Sequence, residues 1–294
     1  MLPQATADLY RADQLRVAEL WATIRDEWRL VGDDLDAGWE RVGPRITRAT
    51  SAAMVGAAAD GAAAVPLALA EDGFDVDPLG EIDPRGFGRT ASDGRPLMSL
   101  LYGGVSAART AQVASLPERL QVGQEWLQTA TRTQVVDAAR MSSQGAIMAR
   151  PRTGWVRFVN PPCCQNCAIL AGQFYRANAG FERHPNCDCL HRPAHADLPR
   201  GQWADEVDPG QITDLTVSQR KALDDGADLI RLVNKRRALW RQRMWTPGEA
   251  PGSRYGPRLG TPDWIYQRAT SREHAMDMLR RFGYMRPPTG AVAA

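Results

Sequence analysis

The sequence predicts a mainly α-helical chain with an elongated helical N-terminal region and a small zinc-stapled α+β lobe. Three observations carry that prediction. Apolar residues recur at helical spacing through most of the first 150 positions. A single stretch near position 155 alternates at strand spacing instead. All five cysteines of the 294-residue chain follow it, within positions 163–189.

The elements follow in order. Val17, Trp21, Ile24, Trp28, Val31, Leu35, Trp39 and Val42 are separated by gaps of mostly three and four, one apolar stripe on a long helix with a break near Gly32 or Gly38. Its tryptophans read as buried packing, or more sharply as a coiled contact with another chain. An alanine-rich helix follows over 44–70. Residues 71–96 are rich in Gly, Pro and Asp and read as a loop. Asp72, Asp75, Asp77 and Asp83 there lack the acid spacing of a calcium loop and read as turn residues. Helices return over 96–115 and 117–149; the second opens on Ser115 with Glu118 three residues on, a capping box.

In "GWVRFVNPP" the character changes: Trp155, Arg157 and Val159 alternate with Val156 and Phe158 until two prolines end the run. After the cysteines, Thr216 and Gln219 form a second box, Gly226 ends that helix and Asp228 starts the next. Thr270 and Glu273 suggest a third box, closed by Gly283. The resulting organisation is 1–70 helical, 71–96 linker, 97–150 helical, 151–199 zinc-binding lobe, and 200–294 a basic helical region with a frayed tail.

Composition bounds the function. Apolar residues make up 44% and charged residues 24%, a globular balance. No run reaches about 18 apolar residues, so no membrane-spanning helix and no membrane partner are expected. The opening "MLPQATADLYRADQ" lacks a basic start and an apolar run, so a reducing cytoplasm is the expected site of synthesis. Charge is uneven: residues 1–100 carry a net −7 and residues 231–286 a net +9. The basic end centres on Lys235, Arg236, Arg237, Arg241 and Arg243 around Trp240, which suits phosphate contact with stacking, or equally a solvated helix face.

The cysteines read as a metal site. Zn2+ takes four ligands in a tetrahedron, and two cysteines separated by two residues reach one ion from a single tight turn. Cys164 and Cys167 have that spacing; His184, Cys187 and Cys189 compete for the remaining two places. Cys163 adjoins Cys164 and is the weakest of the five, while His191 and His195 are outer candidates on the surface or behind the ligands. His274 reads as an ordinary surface histidine. "PCCQNC" imitates half of a zinc deaminase site, but the upstream His-x-Glu half is missing, as is any H-E-x-x-H. Four good ligands close the coordination shell, so the zinc is expected to be structural and the chain not an enzyme.

At these residues the sequence resembles the phage Mu F-like head morphogenesis family, minor capsid proteins of tailed phages. The shared pattern in residues 154–193 is Cys-x-x-Cys, then Gly, an aromatic-bearing spacer and "HPNCDC", behind a helical N-terminal region. "LTVSQRKALDDGADLIRLVNKRRALW" looks like the following region in members from actinobacterial phages. The resemblance implies a structural virion protein, made in the host cytoplasm and packaged inside the capsid at the portal vertex. The implied partners are the portal and capsid proteins, with packaged DNA or an acidic portal surface for the basic end. The N-terminal stripe would take partner helices or a second copy. No nucleophile motif supports an added protease domain. The rival reading is a zinc-containing DNA-binding regulator or nuclease, for which Asp188 and Glu182 are the nearest carboxylates.

Overall fold

The computed structural model describes residues 3–181, 183–184, 186–199, 202, 207–234 and 262–285. It is mainly helical with one small antiparallel sheet. The chain divides into two compact units, Met1–Phe158 with Gly172–Asp205, and Val159–Ala171 with Glu206–Ala294. That division runs through the lobe expected at 151–199.

Three long helices organise the first unit: α1 (Gln4–Trp28), α2 (Leu35–Glu71) and α5 (Leu116–Met148). Short helices α3 (Leu97–Leu101) and α4 (Gly103–Thr110) precede α5. Contacts give the directions. Trp28 Nε1 donates to the Leu120 carbonyl at 2.8 Å, near the start of α5. Leu9, at the other end of α1, packs with Ala64 and Val136. The Ser142 and Ser143 hydroxyls donate to the Ala58 and Gly61 carbonyls, so α2 and α5 run parallel while α1 opposes both. The N-terminal helices are therefore folded into a bundle rather than extended alone. The Glu71 carboxylate, at the end of α2, accepts from the Ala5 amide at 2.9 Å and so covers the start of α1.

The break expected in the apolar stripe falls at Gly32, so the stripe spans two helices. The chain reverses at 29–34, where Gly32 has φ +77°, a conformation that glycine adopts without a Cβ penalty. Asp34 then caps α2 by accepting from the Ala37 amide at 3.0 Å. The stripe folds onto itself: Ile24, Trp28, Val31, Trp39, Val42 and Ile46 are all buried in one core with Leu101 and Leu127. That core accounts for the tryptophans by packing within the chain.

The helix expected from residue 44 in fact begins at Leu35 and runs through Pro44 and Pro66. Both prolines are exposed, so water can reach the carbonyls they leave unpaired, while Val42, Ile46, Val65 and Leu69 on the inner face hold the helix together. By length and apolarity α2 could cross a membrane, but its apolar face is packed against α1 and α5.

The connection at 72–96 contains a 3-10 turn, Pro84–Gly88, capped by Asp83. The Ser115–Glu118 capping box is present. Beyond α5 the sheet has the order β2–β1–β3, with β1 (Thr153–Phe158) between β2 (Phe174–Arg176) and β3 (Leu190–His195) and antiparallel to both. Register pairs Trp155 with Tyr175 and with Pro193, and Arg157 with His191. Trp155 enters the cluster of Val65, Leu69, Ala146 and Ile147, whereas Val156 packs with Ala194 and Leu198. Both faces of β1 are thus covered, and the sheet shares its core with the helices.

The second unit contains α6 (Gln165–Ala168), α7 (Val217–Asp224), a helical stretch at 229–234, α8 (Pro262–Arg268) and α9 (Arg272–Arg281). Thr216 and Gln219 form the expected box. Gly226 and Gly283 both take positive φ after helices, and Asp228 Oδ1 accepts from the Arg231 amide. The cap of α9 is Ser271, one residue beyond the expected Thr270; its hydroxyl accepts from the His274 amide at 3.1 Å. Thr270 instead faces the His274 ring at 3.1 Å. Lys235, Arg236, Arg237, Arg241 and Arg243 lie outside the described residues, as do Glu182 and Trp240.

Candidate metal centre

Local structure builds each half of the cysteine cluster. At Cys164 the chain turns into α6, and the sulfur accepts from the Cys167 amide at 3.4 Å. Cys164 is thus a helix cap made of sulfur, and one helical turn brings the Cys167 thiol back beside it. The turn is anchored from behind. Asp214 accepts from the Gln165 amide at 2.6 Å and from its side-chain nitrogen at 3.1 Å. Gln219, the residue of the second capping box, donates to Gln165 Oε1 at 3.3 Å.

Cys163 has a different task. Its amide donates to the Gln211 carbonyl at 3.1 Å, and its own carbonyl accepts from the Thr213 amide at 2.8 Å. It is buried beside Ile212 in a short parallel bridge and joins neither ligand group.

The other half starts with a tight turn in which the Cys187 amide donates to the His184 carbonyl at 3.1 Å. Asn186 sits there at φ +61°, a left-handed conformation that asparagine tolerates better than most residues. The chain enters β3 only at Leu190, after the three residues of the turn's exit. Cys187 and Cys189 are 5% and 2% exposed, and their sulfurs belong to one group of neighbouring ligand atoms. Asp188 between them accepts from Tyr10 Oη at 2.9 Å and Arg132 Nη2 at 3.4 Å.

The ligand atoms of Cys164, Cys167 and His184 lie within 4.8 Å of one another, and so do those of Cys167, Cys187 and Cys189. The five expected ligands thus fall into these two groups, which share Cys167. No disulfide joins any of the cysteines. This Cys/His cluster could hold a metal ion: soft thiol donors at such separations are the donor set of tetrahedral metal sites.

The surroundings of Cys187 and Cys189 fit an anionic metal–thiolate centre. Arg157, 2% exposed, donates from Nη2 to Cys187 Sγ at 3.6 Å. Arg140, 3% exposed, donates from Nη2 to the Cys187 carbonyl at 2.6 Å and from Nε to the Cys189 carbonyl at 2.7 Å. Both guanidinium groups lie over the Phe181 ring, at 5.0 Å for Arg140 and 4.3 Å for Arg157. Arg157, the cation that reaches a sulfur, would offset part of the negative charge that thiolate ligands bring to a divalent ion, whereas Arg140 is itself paired with Asp137.

Of the two places expected for His191, on the surface or behind the ligands, the structure excludes the surface. His191 is 2% exposed, edge-on to Trp155 at 4.5 Å and to Phe181 at 4.7 Å. Neither ring nitrogen has a hydrogen-bond partner among the described residues. Burial, reinforced by the Arg140 and Arg157 charges, pushes its pKa down to about 3, so it packs as a neutral ring. His195 stacks on Phe74 at 4.4 Å and accepts from the Asp197 amide. His274 is exposed on α9, as expected.

Sequence reasoning missed Arg140, Arg157 and Asp137. Asp137 and Arg140 are three apart on α5, a spacing that ordinarily reads as a surface ion pair, yet both are buried and paired at 3.0 Å. Compared with known proteins, the chain matches no family model, no curated protein and no solved structure.

Proposed function

We propose that this chain is a structural minor capsid protein of a tailed phage, associated with the portal vertex inside the head, and that its cysteine cluster holds a structural zinc ion. One observation carries the reading. The residues that resemble the Mu F-like head morphogenesis pattern are those that bring Cys164, Cys167, His184, Cys187 and Cys189 together. Zinc suits thiolate and imidazole donors, and a closed four-ligand shell supplies folding energy without a position for substrate water. Asp188, the carboxylate a nuclease reading would recruit, is engaged by Tyr10 and Arg132. This supports a structural over a hydrolytic role.

In this reading the zinc fixes the two cysteine turns, which are too short to hold their shape by core burial. The tryptophan stripe serves the chain's own core, so portal and capsid proteins would meet the outer faces of the helices. The basic segment around Lys235, Arg236, Arg237, Arg241 and Arg243 would meet DNA or an acidic portal surface. Mass spectrometry of purified virions tests the assignment. The chain should be present in few copies relative to the major capsid protein, and its absence from mature and precursor heads would refute it. Metal-dependent DNA cleavage lost in Cys164→Ser would favour the nuclease instead.

A further inference from the structure

We infer that Arg140 is the positioning residue of the metal centre: one buried guanidinium from α5 holds the Cys187-x-Cys189 segment in ligating geometry. The inference rests on the metal reading above. Its basis is a single side chain bridging two backbone carbonyls. Nη2 donates to the Cys187 carbonyl at 2.6 Å and Nε to the Cys189 carbonyl at 2.7 Å. These carbonyls belong to the two residues whose thiols must converge on the ion. Fixing both peptide units fixes the direction of both Cα–Cβ bonds, and so limits the sulfur positions to the few that rotation about χ1 allows.

Arg140 is itself oriented. Nη1 donates to Asp137 Oδ1 at 3.0 Å, one helical turn earlier, and its face lies over Phe181. Asp137 uses its second oxygen to accept from Arg183, which stands just before His184. Asp137 and Arg140 thereby grip the ligand-bearing segment at 183 and at 187–189 from one face of α5. A planar fork with five donors can do this; an ammonium cannot hold two carbonyls and a carboxylate in one plane. Residues behind metal ligands that set their orientation typically change affinity by about 10–100-fold.

The test uses the full chain and Arg140→Gln, Arg140→Lys and Asp137→Asn, each loaded with Zn2+ and separately with Co2+. Zinc affinity is read by chelator competition, ligand geometry by the Co2+ visible spectrum, and folding by far-ultraviolet circular dichroism. We expect folded Arg140→Gln to bind zinc roughly 10–100-fold more weakly and to give an altered Co2+ spectrum. Arg140→Lys should not restore either property, although it restores the charge. Asp137→Asn, which keeps the guanidinium but loosens its anchor, should weaken binding by a smaller factor, and it serves as the reading if Arg140→Gln does not fold. Wild-type affinity and an unchanged Co2+ spectrum in a folded variant would overturn the role of Arg140 and leave the metal reading standing. A wild-type chain that takes up neither metal would overturn both.

Discussion

Asp13 makes the stability of the chain depend on pH. It lies on α1, is 1% exposed, and neither carboxylate oxygen has a hydrogen-bond partner among the described residues. Burial raises its pKa to about 8; the Arg16 and Arg140 charges lower it, and Asp60 raises it further. In the unfolded chain an aspartate titrates near about 3.9. The native pKa is thus the higher one, so the folded state holds a proton that the unfolded state releases. Asp13 therefore favours folding fully below about pH 4, and the benefit is lost as pH rises towards 8. The slope approaches about 1.4 kcal/mol per pH unit, on the order of 5 kcal/mol over the window. Asp13→Asn removes the titration and keeps the shape. Denaturant unfolding of both chains, followed by circular dichroism at intervals from pH 5 to pH 8, reads the difference. The Asn variant should gain steadily on wild type as pH rises. A difference constant across that range would refute the buried-carboxyl argument, and any pH dependence common to both chains cancels.

Other perturbations test the packing and the site. Gly61→Ala should destabilise by roughly 1–3 kcal/mol, because its Cβ would stand 2.4 Å from the Ala139 carbonyl oxygen, a backbone atom that cannot swing aside. Gly56→Ala on the same helix meets only the movable end of Arg16, at 3.0 Å, and should be neutral or stabilising by up to about 1 kcal/mol through helix propensity. Thermal melts of the pair would show both signs. Trp28→Phe removes the indole N–H that donates to the Leu120 carbonyl and should cost about 0.5–1.5 kcal/mol for that bond in denaturant titration. Cys163→Ser should retain metal stoichiometry, whereas Cys167→Ser, which removes the thiol common to both ligand groups, should abolish it in elemental analysis.

What the sequence revealed was local. The boxes at Ser115–Glu118 and Thr216–Gln219, the stops at Gly226 and Gly283, and the strand at Trp155 depend on residues a few positions apart, and the structure has them. The ligand half at Cys164–Cys167 was legible for the same reason. Errors arose where tertiary packing overrode a local rule. Pro44 read as a boundary, but inner-face burial carries α2 through it. The break in the stripe was legible only as one of two glycines, because the apolar period survives the reversal at Gly32 and both helices turn their stripe into one core. His191 and Arg140 were illegible in a stronger sense. Their burial depends on partners far along the chain, Trp155 for the first and the Cys187 and Cys189 carbonyls for the second. No spacing rule connects α5 to a segment more than 40 residues away.

The metal staple proposed for the cysteine and histidine side chains requires a bound ion in the native chain. Elemental analysis of the full chain, purified under reducing conditions without added metal, tests it most directly. About one zinc per chain is expected, with loss of the ion to a chelator accompanied by a fall in thermal stability. A chain that is folded, reduced and free of metal, with a melting temperature indifferent to zinc, would contradict it.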